Sequence, residues 1–259
     1  MLVFVMIDGA RPDALEPAGC TNLLALAARG ASSMAARSTM PSVTLPCHMT
    51  IFHSAPPERH GITTNLYLPP ARPLIGLVET LRAAGMRSGF VSSWEPLRDL
   101  SRPEQLAYSW LREPPLDPAA YEQALASEAV RAARAEQLDF LFVYYGSVDT
   151  VGHAYGWMAP EYLYQLALVD GYLGQLLAAL PADAHVLVQS DHGGHERTHG
   201  TASPEDMTIP WVVAGPGIRA GHRISAPVSL LDTAPTIVRL LGVAAPSAWE
   251  GRCPEEIFA

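Results

Sequence analysis

One loop of this sequence combines several side chains that bind metal ions. From Asp191 to His199 it reads Asp-His-Gly-Gly-His-Glu-Arg-Thr-His, which places three of the nine histidines directly after the apolar run 184–188. Imidazole and carboxylate groups are the usual protein ligands of zinc. A structural histidine needs one hydrogen-bonding partner and has no reason to cluster in this way. The spacing therefore predicts a metal site.

Two further apolar runs also end in side chains of this type. Asp8 follows the run 1–7, and Asp149 and His153 follow the run 140–145. A spacing of four places Asp149 and His153 on one face of a helix. Taken singly, Asp8 would also suit a turn, and Asp149 a helix cap beside an unrelated surface histidine. In open α/β sheets ligands collect outside the carboxyl ends of the strands, so we expect one site at one edge of the sheet.

A candidate nucleophile lies in the segment 38–48, which is rich in hydroxyl groups and leads into an apolar stretch. A helix that begins there would offer free backbone donors to a phosphate. Ser42 and Thr44 are both placed to present a hydroxyl, although either could be a plain helix cap. Cys47 is interpreted as a packed thiol. Two further sets are assigned no chemistry: His48, His53 and His60 are expected to be structural or solvated, and Asp13, Asp170 and Asp232 to cap or begin helices.

Composition limits the classes of protein that this chain can belong to. Of the 259 residues 49% are apolar and 17% are charged, which is typical of a globular protein. The formal charge of −9 argues against a protein that coats a nucleic-acid polymer. Three widely spaced cysteines indicate no disulfide framework. The first apolar run has no basic flank and is too short to span a bilayer, and we therefore expect a cytoplasmic protein without a membrane span.

Predicted strands and helices alternate along the chain. Their nearly continuous apolar strands are typical of a mostly parallel sheet that is covered on both faces. The predicted strands are 1–7, 88–93, 139–145, 185–189 and 209–214, and the predicted helices are 22–30, 75–84, 117–137, 160–180 and 230–241.

Several motifs together resemble the alkaline phosphatase superfamily, and most closely its type I phosphodiesterase/nucleotide pyrophosphatase family. In order they are Asp8-Gly9, the Thr44 segment, His60–Tyr67, Asp149–His153, Asp191–Gly193, Pro204–Met207 and Leu231–Thr236. The resemblance runs from Met1 to about Gly242. It implies a three-layer α/β/α sandwich, with residues 1–259 as a single compact catalytic domain that lacks large insertions.

The resemblance also implies a site with two divalent metal ions, which we expect to be zinc; Mn²⁺ or Fe could use the same ligands. By analogy Asp8, Asp191 and His192 hold one ion, with the Thr44 oxygen beside it. Asp149, His153 and a later histidine hold the other. We choose His199 for that last ligand, and His195 competes with it because the loop is shorter here than in larger relatives. Thr44 matches the nucleophile of the family, and Asn65 matches an asparagine that holds a phosphoryl oxygen.

The function implied by this site is hydrolysis of phosphodiester or pyrophosphate bonds through a phosphothreonine intermediate. The expected substrate is a small phosphate ester, with a nucleotide as one candidate. A phosphomonoesterase, phosphonate hydrolase or phosphotransferase of the same superfamily is the alternative. A sulfatase fits less well, because sulfatases build formylglycine from Cys or Ser and the matching residue here is Thr44.

Overall fold

A computed structural model of the chain describes residues 1–69, 74–112 and 118–259. Its strands are β1 (Leu2–Ile7), β2 (Ala31–Arg37), β3 (Ser88–Ser92), β4 (Tyr108–Leu111), β5 (Phe140–Tyr145), β6 (His185–Gln189), β7 (Thr208–Ala214) and β8 (His222–Arg223). Its α-helices are α1 (Thr21–Ala28), α2 (Thr44–His53), α3 (Pro57–His60), α4 (Leu77–Ala83), α5 (Pro118–Ala135), α6 (Ser147–Tyr155), α7 (Pro160–Ala179), α8 (Pro204–Met207) and α9 (Thr233–Leu240). Short 3-10 helices cover Pro12–Ala14, Glu95–Leu100, Leu230–Asp232 and Glu255–Ile257.

The strands of the described residues form one sheet in the order β4-β3-β5-β1-β6-β7-β2-β8. Parallel pairing joins β4, β3, β5, β1 and β6 into a continuous block. Strand β7 runs antiparallel to both of its neighbours, β6 and β2. The sheet is therefore mostly parallel, as the sequence predicts.

Helices cover both faces of this sheet. Strand β1 consists only of apolar residues, and all six are buried. Phe4 packs into one core with residues of α2, α4 and α9, whereas Val5 packs into a second core with residues of α1, α5, α6 and α7. Successive residues of a strand point to opposite faces, so an unbroken apolar strand requires a cover on each side. The result is the three-layer α/β/α sandwich that was expected.

Each predicted strand and helix is present, with ends that differ from the prediction by two residues or fewer within the described ranges. The helix predicted over 230–241 divides into a 3-10 turn and α9, and Asp117 lies outside the described residues. Strands β2, β4 and β8 were not predicted. They lack an apolar run: β2 reads Ala-Ser-Ser-Met-Ala-Ala-Arg, β4 is partly exposed, and β8 has two residues.

The aspartates expected at helix ends are placed as follows. Asp13 lies in the first turn of a 3-10 helix, and Asp232 forms a capping box with Ser229. Asp170 caps a helix other than its own, because it lies inside α7 and accepts hydrogen bonds from the backbone N–H groups of Asn22 and Leu23 in α1. No helix of the described residues is long and apolar enough to cross a membrane.

Candidate active site

Three adjacent parallel strands bring the predicted residues to one edge of the sheet. Strand β1 lies between β5 and β6, with Ile7 opposite Tyr145 and Met6 opposite Gln189. Asp8 follows β1, Asp191 and His192 follow β6, and α6, with Asp149 and His153, follows β5. The carboxyl ends of the three strands therefore meet, and two clusters of possible metal ligands form there.

The first cluster consists of Asp8, Asp191 and His192, all of which are buried. The His192 ring lies with Nε2 3.3 Å from Asp8 Oδ1 and 3.4 Å from Asp191 Oδ2. It is also 3.3 Å from the Thr44 hydroxyl oxygen. His192 Nδ1 lies 2.8 Å from the backbone oxygen of Gly193, which only an N–H at that atom can satisfy. In the neutral ring Nε2 is then an acceptor that faces two carboxylates.

The second cluster consists of Asp149, His153 and His199, so that one carboxylate lies against two imidazoles. Asp149 Oδ1 lies 3.5 Å from Nε2 of both histidines. His153 Nδ1 lies 2.9 Å from the backbone oxygen of Arg197, and His199 Nδ1 lies 2.8 Å from that of Ser42. Each ring thus donates through Nδ1 and presents Nε2 as an acceptor, which is the state of a histidine that ligates a metal.

The residues fit a pair of divalent cations. Asp8 Oδ1, Asp149 Oδ1 and Asp191 Oδ2 are buried, and within the described residues they have no hydrogen-bond donor. Such acceptors are costly unless a cation or a donor compensates them. Ligands about 2.0–2.1 Å from a tetrahedral zinc lie about 3.3 Å from one another, close to the observed separations. Both clusters therefore have donor types and spacing that fit a divalent cation, and the first cluster is fully buried.

The electrostatics of these clusters also favour bound cations. Burial, with a further contribution from the Asp191 and Asp149 carboxylates, raises the pKa of Asp8 well above its usual range. Burial, followed by the charge of Asp149, also raises the pKa of Asp191. Burial lowers the pKa of His199 to about 4, so that its ring is neutral at physiological pH. Close, desolvated carboxylates repel one another, and a cation between them removes this cost.

Thr44 is the hydroxyl that faces the clusters. It is the first residue of α2, is 5% exposed, and lies next to His192. Ser42, the other candidate, donates its hydroxyl to the backbone oxygen of Thr201 and is already engaged. Asn65 accepts the backbone N–H of Leu45 at 2.9 Å through Oδ1, which leaves its amide nitrogen as the group that can donate to a ligand. The geometry selects Thr44 over Ser42 and places Asn65 beside it.

His195 lies apart from both clusters. Its Nδ1 is 2.7 Å from Oδ1 of the buried Asp206, which also accepts hydrogen bonds from the backbone and side chain of Thr201. This pair closes the loop that carries His199. Of the two competing histidines, it is therefore His199 that lies with Asp149 and His153.

The His195–Asp206 pair predicts a pH dependence of stability. The hydrogen bond that His195 donates to the Asp206 carboxylate raises the pKa of His195. A group with a raised pKa in the folded state contributes its full stabilisation at pH values below its unfolded pKa, which is about 6.5 for histidine. This contribution is lost as the pH rises through the folded pKa. We therefore expect His195→Ala to lower the free energy of unfolding more at about pH 5.5 than at about pH 9. Urea denaturation of both proteins at each pH measures this, and equal losses would contradict it.

Sequence reasoning missed two residues of the site. The Tyr144 hydroxyl donates a hydrogen bond to Asp8 Oδ2 and so fixes that carboxylate. His48 was expected to be structural or solvated, because no carboxylate is near in sequence. It is fully buried, its Nδ1 lies 2.8 Å from the backbone oxygen of Thr44, and it is 3.6 Å from Asp191 Oδ2. Its carboxylate neighbour is distant in sequence and close in the fold, a relation that no local spacing reveals.

The clusters open onto a cleft of about 230 Å³. Its lining joins metal-type, hydroxyl and aromatic side chains: Asp8, Thr44, Asn65, Ser93, Trp94, Tyr121, Glu122, Tyr144, Gly146, Ser147, Asp149, Thr150, His153 and His199. Ligand pockets for drug-sized molecules are typically about 300–1,000 Å³. This cleft therefore suits a small ligand beside Thr44.

Comparisons with known proteins show the family and the fold of this chain. Residues 2–202 match the family model described as type I phosphodiesterase/nucleotide pyrophosphatase. Human ectonucleotide pyrophosphatase/phosphodiesterase family member 7 is 26% identical over 225 residues, which cover 74% of this chain and 47% of that protein. Arylsulfatase K of Danio rerio is 36% identical over 92 residues, which cover 32% of this chain and 18% of that protein. The chain thus spans less than half the length of either relative.

A solved structure with a similar fold is an inactive form of murine ectonucleotide pyrophosphatase/phosphodiesterase 5 in complex with AMP. It has a TM-score of 0.83 at 15% identity and covers 100% of this chain and 99% of that chain. At this identity the similarity shows a shared fold.

Proposed function

Because the chain belongs to the type I phosphodiesterase/nucleotide pyrophosphatase family, we propose that it hydrolyses phosphodiester or pyrophosphate bonds through a phosphothreonine at Thr44. The observation that carries this proposal is the position of the Thr44 hydroxyl. It lies 3.3 Å from His192, in one cluster of possible metal ligands, and lines the same cleft as the second cluster. We propose that residues 1–259 act as one catalytic domain.

The proposed ligands are Asp8, Asp191 and His192 for one ion and Asp149, His153 and His199 for the other. Two divalent ions bound there, zinc by expectation, would stabilise the Thr44 alkoxide and the charge on the phosphoryl oxygens. Three aspartates against two dications leave a formal charge of about +1, which suits an anionic ester. A threonine hydroxyl is otherwise a poor nucleophile at neutral pH.

The chain's own residues perform the transfer. Thr44 Oγ1 gives up its proton to water and attacks phosphorus. The P–O bond to the leaving group breaks, which releases an alcohol from a diester or a phosphate from a pyrophosphate, and the phosphoryl group, with any second ester, stays on Thr44. The amide nitrogen of Asn65 donates to a phosphoryl oxygen, because its carbonyl is held by Leu45. Water then attacks the same phosphorus and releases Thr44. Each step places charge on oxygens that preorganised donors can stabilise.

A small phosphate ester, with a nucleotide as the first candidate, is the proposed substrate. The AMP complex of the murine relative supports a nucleotide, and the modest cleft supports a small organic group. The cytoplasmic location expected from the sequence stays a prediction. Because the chain partly matches an arylsulfatase, a sulfate ester is the substrate to compare with phosphate esters. The threonine at the nucleophile position argues against sulfate ester hydrolysis.

The test compares bis-p-nitrophenyl phosphate, p-nitrophenyl phosphate and p-nitrophenyl sulfate on the zinc-loaded protein. We expect the diester to have the highest kcat/KM and the sulfate to be inert. Prolonged chelation should abolish turnover, because the ions would stabilise the Thr44 alkoxide and the charge on the phosphoryl oxygens. Added zinc should restore turnover, because a cation removes the repulsion between the buried carboxylates. A monoester preference would favour the phosphomonoesterase alternative. Full activity after the metal has been removed would contradict the proposed site.

A further inference from the structure

Ser42 is a buried hydroxyl residue that the proposed mechanism does not use. It lies two residues before Thr44 and is 0% exposed. Its hydroxyl donates a hydrogen bond of 2.9 Å to the backbone oxygen of Thr201. Its own backbone oxygen accepts the Nδ1–H of His199 at 2.8 Å. Ser42 therefore joins the segment of the proposed nucleophile to the segment that carries His199 at two points.

The Thr201 side of this contact is itself held in place. Thr201 donates hydrogen bonds from its backbone N–H and from its hydroxyl to Oδ2 of the buried Asp206, both at 2.8 Å. Oδ1 of the same carboxylate binds His195. A buried carboxylate that accepts several hydrogen bonds holds its donors in a fixed geometry. The Ser42 hydroxyl is therefore attached to a fixed point of the fold.

The support of His199 differs from that of the other two histidines of the clusters. Those two bind through Nδ1 to backbone oxygens within the loop 191–199 itself. His199 instead binds to the segment that presents Thr44. A carbonyl that accepts the second ring nitrogen orients a ligating histidine, and the loss of such a partner typically lowers metal affinity by about 10–100-fold. The position of the Ser42 carbonyl therefore affects both His199 and Thr44.

A simpler role for the Ser42 hydroxyl is to satisfy one buried backbone oxygen. In that role its removal would destabilise the fold, because the Thr201 carbonyl would lose its partner. It would have no specific effect on either cluster. The two roles therefore differ in what happens to the affinity of the second cluster for its ion.

We propose that Ser42 is a positioning residue that couples the second cluster to the nucleophile, because its hydroxyl holds its carbonyl where that carbonyl orients His199. This inference rests on the proposed function, since it takes the second cluster to hold an ion and Thr44 to attack the ester. The coupling is reciprocal: binding of an ion at the second cluster and ordering of residues 42–44 favour each other.

Ser42→Ala tests the coupling, because it removes the hydroxyl and keeps the backbone carbonyl. Competition with a chromogenic chelator measures the zinc affinity of each equivalent without turnover. The variant should bind one equivalent at least about tenfold more weakly than the wild type, and the other within about threefold. In a His199→Ala background, which keeps only the first cluster, Ser42→Ala should change the affinity of the remaining equivalent by less than about threefold.

Ser229→Ala is the matched control. The Ser229 hydroxyl also takes part in a local hydrogen bond, to Asp232, at the start of a 3-10 helix that carries no ligand of either cluster. Its removal should lower the stability and leave the affinity of both zinc equivalents within about threefold of the wild type. Thermal unfolding reports whether each variant is folded.

Hydrogen exchange tests the reciprocal effect with Ser42 intact. Asp149→Ala removes a ligand of the second cluster and keeps Ser42, His199 and the hydrogen bond between them. In saturating zinc, peptides that cover residues 40–46 should exchange at least about threefold faster in Asp149→Ala than in the wild type. This comparison decides the matter if Ser42→Ala does not fold.

Three results would overturn the proposal: a folded Ser42→Ala that binds both equivalents as the wild type does, an equal loss of zinc affinity in Ser229→Ala, or equal exchange of residues 40–46 in Asp149→Ala and the wild type. None of these measurements requires turnover. A protein that shows the coupling but hydrolyses no phosphate ester would refute the proposed function and leave the role of Ser42 intact. An active enzyme without the coupling would refute only the latter.

Discussion

Thr44→Ala should lower kcat for the preferred diester by at least about 10³-fold. The substitution removes the hydroxyl that lies 3.3 Å from His192 Nε2 at the first cluster. It should leave the metal content unchanged, because the carboxylates and imidazoles of both clusters remain. Stopped-flow or steady-state kinetics, combined with metal analysis of the same sample, measure both effects.

Thr44→Ser is the matched control. It keeps a hydroxyl at the start of α2 and should retain far more activity than the alanine variant, with a loss within about 100-fold. Together the two variants separate loss of the nucleophile from loss of packing, since both remove the methyl group. Turnover by Thr44→Ala that equals the wild-type rate would exclude Thr44 as the nucleophile.

The second large effect is expected at His199. His199→Ala should lose one equivalent of metal and lower kcat/KM by at least about 100-fold. Nε2 of His199 faces Asp149 Oδ1, which has no hydrogen-bond donor among the described residues. His195→Ala should keep both equivalents and show a milder loss, because its ring is bound to Asp206.

Metal content by plasma mass spectrometry and kcat/KM for both variants decide this assignment. The pair is well matched, since both changes remove an imidazole from the same loop. The reverse ranking, with metal lost from His195→Ala and retained in His199→Ala, would show that the second cluster is misassigned.

The site residues that lie shortly after the ends of strands could be predicted from the sequence. Asp8, Asp149 and Asp191 each lie shortly after an apolar run, and parallel strands bring such ends together. The central strands were predictable for the same reason, since strands covered on both faces are continuously apolar. Strand ends alone did not assign every residue of the site. Asn65 lies in a loop with no periodic pattern, and only the match to the family motifs indicated it.

Other features depended on contacts between distant segments. The choice between His195 and His199 required the position of Asp206, which engages His195. Tyr144 looks like one more apolar residue of β5, yet its hydroxyl reaches Asp8. Glu122 belongs to a helix rich in Ala, Glu and Arg, where a glutamate is expected to be solvated, yet it is buried and accepts a hydrogen bond from the backbone of α6. Local sequence carries no signal for such contacts.

The phosphothreonine mechanism requires that hydrolysis pass through a covalent intermediate on Thr44. The most direct measurement is the stereochemical course at phosphorus, followed with a chiral phosphorothioate diester hydrolysed in isotopically labelled water. Each in-line displacement inverts the configuration. Attack by Thr44 followed by attack of water therefore predicts overall retention, whereas overall inversion would show direct attack by water and contradict the phosphothreonine mechanism.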